Sequence, residues 1–212
     1  RMFGFHFLEN FNFPMISKSI TGFWKRWHIS MGSWFQDYLY FPLGGSRVNK
    51  RRLVFNIFVV WFLSGLWHGA AWSYVLWGCA YFVLLIFERF SGVGKWMEKH
   101  PVGHLYTIVL LLIVSVMIQS NDIAAAWRHY GYMFGVSTSS LWNSVATVLV
   151  REYGWFLLAG AVLSMPLKDW LKKHLPAGPV EVVCTVLLGL CTALAICYVA
   201  VGSYNPFIYF NF

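Results

Sequence analysis

Charge is scarce in this sequence. Only 11% of its 212 residues are Asp, Glu, Lys or Arg, against about 25% in ordinary soluble domains, and the shortfall excludes a normal aqueous globule. Acidic residues are scarcer than basic ones, eight against sixteen, leaving a formal charge of +8. The four cysteines, Cys79, Cys184, Cys191 and Cys197, all fall inside apolar runs. They lack the close spacing of a zinc knuckle or redox pair and are expected to be buried small hydrophobes. Neither His28 nor His68, forty positions apart, has a carboxylate or thiol beside it at zinc-ligand spacing, so no metal site is expected. Gly44-Gly45 lacks the strand and helix context of a phosphate-cradling loop. No internal repeat, low-complexity tract or Pro-rich linker occurs. The opening residues do not form the charged, apolar and small-residue regions of a signal peptide, so the chain is expected to continue a longer polypeptide.

What the sequence has in abundance is apolar and aromatic side chains, 58% and 20% of residues. Such a load suits membrane interfaces and tunnels better than a small aqueous core. A membrane-crossing helix needs about 20 mostly apolar residues, and five runs are candidates: 53 to 69, 70 to 87, 104 to 120, 153 to 166 and 180 to 201. The expected fold is all-α, a polytopic transmembrane helical bundle forming a single membrane domain over 1–212. Between the first two runs stands only Ser64-Gly65-Leu66-Trp67-His68-Gly69-Ala70-Ala71-Trp72, whose glycines permit a hairpin tip or a broken helix.

The basic residues test the topology. With 1 to 52, 88 to 103 and 167 to 179 taken as one side, that side holds fourteen Lys and Arg, and the other holds only Arg128 and Arg151. Basic loops face the cytoplasm, so the first side is expected to be cytoplasmic. The densest cluster, Arg47 to Arg52, abuts a hydrophobic run, where it meets anionic headgroups. The partner expected for the positive charge is therefore membrane lipid and not nucleic acid. Residues 163 to 175, with Trp170 among Lys168, Lys172 and Lys173, read as a helix in the cytoplasmic interface. A short amphipathic helix is expected at 141 to 150.

Two polar islands interrupt the apolar pattern. Residues 1 to 52 fit no spanning helix, yet Phe23, Trp24, Trp27, Ile29, Met31, Trp34, Phe35 and Tyr38 are too apolar for a solvated loop. Irregular backbone at membrane depth is tolerated only inside protein or along a wet cavity, so this stretch is expected to be a buried or re-entrant segment on the cytoplasmic side. The second island is Trp67-His68-Gly69. A histidine there loses free energy in lipid and belongs against protein or a cavity, where function is the default reading. An interfacial residue beside belt tryptophans is the alternative.

Three stretches carry a family likeness: Ser19-Ile20-Thr21-Gly22-Phe23-Trp24-Lys25-Arg26-Trp27-His28-Ile29-Ser30, then Asp37-Tyr38-Leu39-Tyr40-Phe41-Pro42-Leu43-Gly44-Gly45-Ser46-Arg47, then Gly65-Leu66-Trp67-His68-Gly69-Ala70-Ala71-Trp72. In that order they resemble the membrane-bound O-acyltransferase (MBOAT) superfamily, nearest its bacterial polysaccharide O-acetyltransferase branch, that of the alginate O-acetyltransferase membrane subunit. The closing Tyr204 to Phe212 is similar to the end of that branch. The likeness implies the C-terminal half of an MBOAT fold, with His68 as the residue most tied to acyl transfer and His28 as its earlier polar companion. Trp27, Ser30, Asp37, Trp67 and Arg26 are the accompanying tunnel or positioning residues.

The implied reaction takes an acyl group, expected to be acetyl, from a cytoplasmic thioester to a hydroxyl of an extracytoplasmic polysaccharide, directly or through a partner protein. Attack requires the hydroxyl to lose a proton, a task for a neutral imidazole. A dry cavity keeps His68 neutral by penalising its charged form. A briefly acylated His68 remains open. The resemblance implies no covalently bound cofactor, an acetyl-CoA or acyl carrier protein donor, an extracytoplasmic SGNH-type acyltransferase partner, and a multi-pass place in the bacterial plasma membrane. Asp37 is as well suited to pairing with Arg26 or Arg47 as to touching donor. Two rivals stay open: a transporter or channel, since polar islands at broken helices also mark substrate paths, and a non-catalytic scaffold of polysaccharide secretion.

Overall fold

The computed structural model describes residues 4–6, 8–120, 122–136 and 142–200. The tail similar to the family's C-terminus, 204–212, lies outside them. The fold is α-helical, with no strand among the described residues. The chain divides into two compact units, 1–159 and 160–212.

The first unit opens with short pieces. A 3₁₀ turn at Pro14–Ile16 leads to α1 (Ile20–Trp24) and α2 (Ile29–Phe35), which runs on into a π turn at Gln36–Tyr40. Then come α3 (Lys50–His68), α4 (Trp72–Ser91), α5 (Val93–Lys99), α6 (Val102–Gln119), α7 (Ile123–Met133) and α8 (Ser144–Leu163). The second unit holds α9 (Leu167–His174) and α10 (Ala177–Ala200). Among the described residues, four helical stretches are long and apolar enough to cross a membrane: α4, α6, α8 and residues 178–197 of α10. The run 53 to 69, by contrast, becomes α3, which starts on Lys50, Arg51 and Arg52 and buries Asn56 and Ser64 against protein, and it is not among the four.

Helices α3 and α4 form a hairpin whose tip is Gly69-Ala70-Ala71. They approach through two glycines: a Cβ on Gly65 would sit 2.5 Å from the Tyr74 carbonyl oxygen, and one on Gly78 2.3 Å from that of Trp61. Both distances are below any real carbon contact, so only glycine admits this separation. The core beside the hairpin is aromatic. Ile20, Trp77, Tyr81 and Val114 are buried together, with Trp24 and Trp61 packed against them. Trp24 lies 4.7 Å from Trp61 and 4.9 Å from Tyr81 between ring centroids, in edge-on geometry. Such pairs are worth about 0.5–1.5 kcal/mol each beyond their buried area.

Residues 141 to 150 and 153 to 166 do not form separate pieces; one helix, α8, runs from Ser144 to Leu163 and carries Arg151 and Glu152 along its length. No Pro interrupts it before Pro166, and the isolated Gly154 and Gly160 weaken a helix without breaking it. The interfacial piece begins at Leu167, after Pro166, and not at 163, because Pro disfavours helical conformation in the residue before it. The cysteines are not buried: Cys79 and Cys184 are half-buried, Cys191 and Cys197 exposed. On α10 the reason is that nearly the whole helix surface is uncovered within its unit.

Candidate active site

His28 sits in a backbone conformation that few side-chain-bearing residues adopt, φ 50° and ψ 49°. Left-handed geometry of this kind costs on the order of 1–3 kcal/mol and persists only where surroundings hold it. What holds it is the segment 10–12. The Ile29 amide donates to the Asn10 carbonyl at 3.0 Å. The Ser30 amide and hydroxyl both donate to Asn10 Oδ1, at 3.0 and 2.8 Å. The Asn12 amide donates to the Arg26 carbonyl at 2.9 Å, and Arg26 Nη1 returns a bond to the Asn12 carbonyl at 3.0 Å. The ring is flanked by Phe11 at 5.3 Å and Trp27 at 5.8 Å. This partial burial pushes the His28 imidazole below its ordinary pKa, by desolvation of the charged form.

His68 is the last residue of α3, half-buried at the hairpin tip. Its ring is caged by Trp67 and Trp77, at 5.0 and 4.9 Å and edge-on, with Tyr74 stacked at 6.4 Å. Gly69 is required beside it, because a Cβ there would meet the Tyr74 ring at 2.7 Å. The two imidazoles, forty residues apart in sequence, stand within electrostatic range of each other. Among the described residues no hydrogen bond to a ring nitrogen of His28 or His68 is found; aromatic side chains pack against both rings.

Two cavities meet at His28. The larger, about 780 Å³, is lined by the aromatic rings of Trp24 and Trp27, by His28, and by the charged Lys25, Glu88 and Lys95. The smaller, about 480 Å³, is lined by Asn10, His28, Ser30, Met31, Trp34 and Trp67. Trp67, 58% exposed, lines that space and packs against the His68 ring; His68 itself lines neither cavity.

Of the residues expected at the site, His28, Trp27, Ser30 and Trp67 line the cavities, and His68 packs against Trp67. Arg26 and Asp37 do not. Arg26 is spent on the Asn12 carbonyl, and Asp37 is exposed on the π turn, without an ion pair to Arg26 or Arg47 among the described residues. Gln36 and Tyr40 of the same turn line the larger cavity, and Asp37 does not. Two residues that sequence reading missed line the cavities and anchor the segment that carries His28. Asn10 clamps the His28 backbone, and its only advance signal is an Asx residue ahead of a turn. Glu88, 3% exposed, accepts from the Ile20 amide at 2.7 Å, and from the Thr21 amide and hydroxyl at 2.9 and 2.7 Å.

Comparison with known proteins bears on this arrangement. The sequence profile described as MBOAT, membrane-bound O-acyltransferase family, matches residues 2–112, which contain both histidines and both cavities. A probable alginate O-acetylase AlgI of Pseudomonas putida is 34% identical over 230 aligned positions, covering 100% of this chain and 47% of the relative. A peptidoglycan O-acetyltransferase of Helicobacter pylori is 40% identical over 136, covering 62% and 26%. A teichoic acid D-alanyltransferase of Bacillus subtilis is 36% identical over 118, covering 50% and 29%. The chain thus spans between about a quarter and a half of the length of these relatives. With motifs, helices and sequence in agreement, the chain belongs to the membrane-bound O-acyltransferase family.

Proposed function

We propose that this chain is the histidine-bearing part of a membrane O-acyltransferase that moves an acyl group, acetyl in the simplest case, from a cytoplasmic thioester to a hydroxyl of an extracytoplasmic polysaccharide, directly or through an SGNH-type partner. The observation that carries the reading is that His28 lines both of two adjoining cavities while His68 packs against Trp67, a wall of the smaller one, all within the family-matched residues.

In this reading the acceptor hydroxyl attacks the thioester carbonyl carbon. A C–O bond forms, the C–S bond breaks, and the proton passes through His68 to the departing sulfur. His68 acts as general base, a role worth about 10²–10⁴-fold. His28, presented by its left-handed backbone, polarises the carbonyl as negative charge builds on its oxygen, an effect strengthened in a dry site. Lys25 and Lys95, which line the larger cavity, suit a phosphate-bearing donor such as acetyl-CoA or an acylated carrier protein. The split of basic residues and the bacterial relatives support a plasma-membrane location with residues 1–52 toward the cytoplasm.

The test is His68→Ala in the full-length protein, in cells that make the modified polymer. Loss of polymer-bound acyl ester with unchanged membrane abundance is expected. Retained acylation at wild-type level defeats the proposal and leaves a scaffold or transporter.

A further inference from the structure

Glu88 is a buried carboxylate on a membrane helix, and the reaction above does not use it. It lies in the last turn of α4, yet it accepts three hydrogen bonds from the segment that carries His28, from the amides of Ile20 and Thr21 and the Thr21 hydroxyl at 2.7, 2.9 and 2.7 Å, while the Tyr106 hydroxyl of α6 also approaches it. Burying such a group is costly unless every lone pair it presents is answered, and here each oxygen acts only as an acceptor. An amide cannot reproduce this, because its NH₂ would face an N–H donor. On the same helix, three turns back, Trp77 and Tyr74 hold His68. Trp77 and Glu88, eleven positions apart, are separated by about 16 Å along the helix. Nearby, Ser19 caps α1 through the Gly22 amide at 2.9 Å and donates to Glu98 at 3.0 Å, so the start of the His28 segment is fixed from outside itself.

We propose that Glu88 is a positioning residue for acyl transfer: through its grip on Ile20 and Thr21 it fixes the His28 segment to α4, and so fixes His28 against His68. The inference rests on the acyltransferase reading. It differs from a general stabilising role in what it requires: the effect of Glu88 must run through His28.

The experiment measures acyl transfer by the full-length protein in membranes for wild type, Glu88→Gln, His28→Ala and the double variant. The expected result is a fall in kcat of about 10- to 100-fold for Glu88→Gln with KM for donor changed less than about threefold. In the His28→Ala background the same substitution should lower kcat by less than about twofold, since the group it positions is gone. Where Glu88→Gln does not accumulate, Thr21→Val removes one of the three bonds and should give a several-fold fall that likewise vanishes with His28→Ala. Equal losses in both backgrounds, or no loss in either, overturn the proposal. Failure of the underlying reading looks different: His68→Ala would then retain full transfer, whatever Glu88 does.

Discussion

Substituting Gly78 by alanine adds one methyl group at the point where α3 and α4 touch. The new Cβ would lie 2.3 Å from the Trp61 carbonyl oxygen and 3.2 Å from the Gly65 amide nitrogen. Ordinary carbon–oxygen contact is at 3.4 Å or more, so the helices must separate by roughly 1 Å, and both obstacles are backbone that cannot rotate away. Overpacking of this kind costs about 1–3 kcal/mol. The displacement also reaches chemistry, because Trp77, next to Gly78, holds the His68 ring at 4.9 Å. A 1 Å misplacement of a reacting group costs on the order of 10²-fold in rate. Thermal unfolding of the purified full-length protein and its acyl-transfer rate should therefore fall together. Gly160→Ala is the control: nothing lies within 4 Å of a Cβ there, and stability should hold or rise slightly. Wild-type stability and rate for Gly78→Ala would refute the argument that close approach of α3 and α4 sets the site.

Asn10→Ala removes both bonds to Ser30 from Oδ1 and leaves the strained His28 backbone held by fewer contacts. Transfer should fall by about tenfold, and amide hydrogen exchange should quicken across residues 26–30 while α4 stays protected. Burial lowers the His28 pKa, so the unfolded chain binds the proton first as pH falls. Stability from this group is present above the ordinary histidine value of about 6.5 and is lost as pH drops through the lowered folded value. Denaturant unfolding of wild type should weaken through that acidic window more than that of His28→Asn; equal pH dependence would contradict it.

Much of this was readable from composition and motif. Scarce charge and apolar runs fixed the membrane class, and the fourteen basic residues beside those runs marked one side. Gly69 marked the turn that α3 and α4 make, and His28 and His68 stood out because imidazole is costly among apolar neighbours. What was not readable depends on pairing across the chain. Glu88 meets Ile20 and Thr21 across 68 and 67 residues, and no local periodicity encodes such a bond. The Asn10 clamp appears only once segment 10–12 lies beside 26–30. Arg151-Glu152 left an internal ion pair and a loop tip equally open from sequence, and α8 runs through both residues. Asp37 looked like a site residue within a motif, and the π turn carries it to the surface.

The central claim is that two histidines from distant points of the sequence act on one acyl group. A double-mutant cycle measures it directly: acyl transfer by the full-length protein with His28→Ala, His68→Ala and both. A shared site predicts that the double variant is no more than a few-fold slower than His68→Ala alone. Fully multiplicative losses, or a His68→Ala variant as fast as wild type, would contradict it.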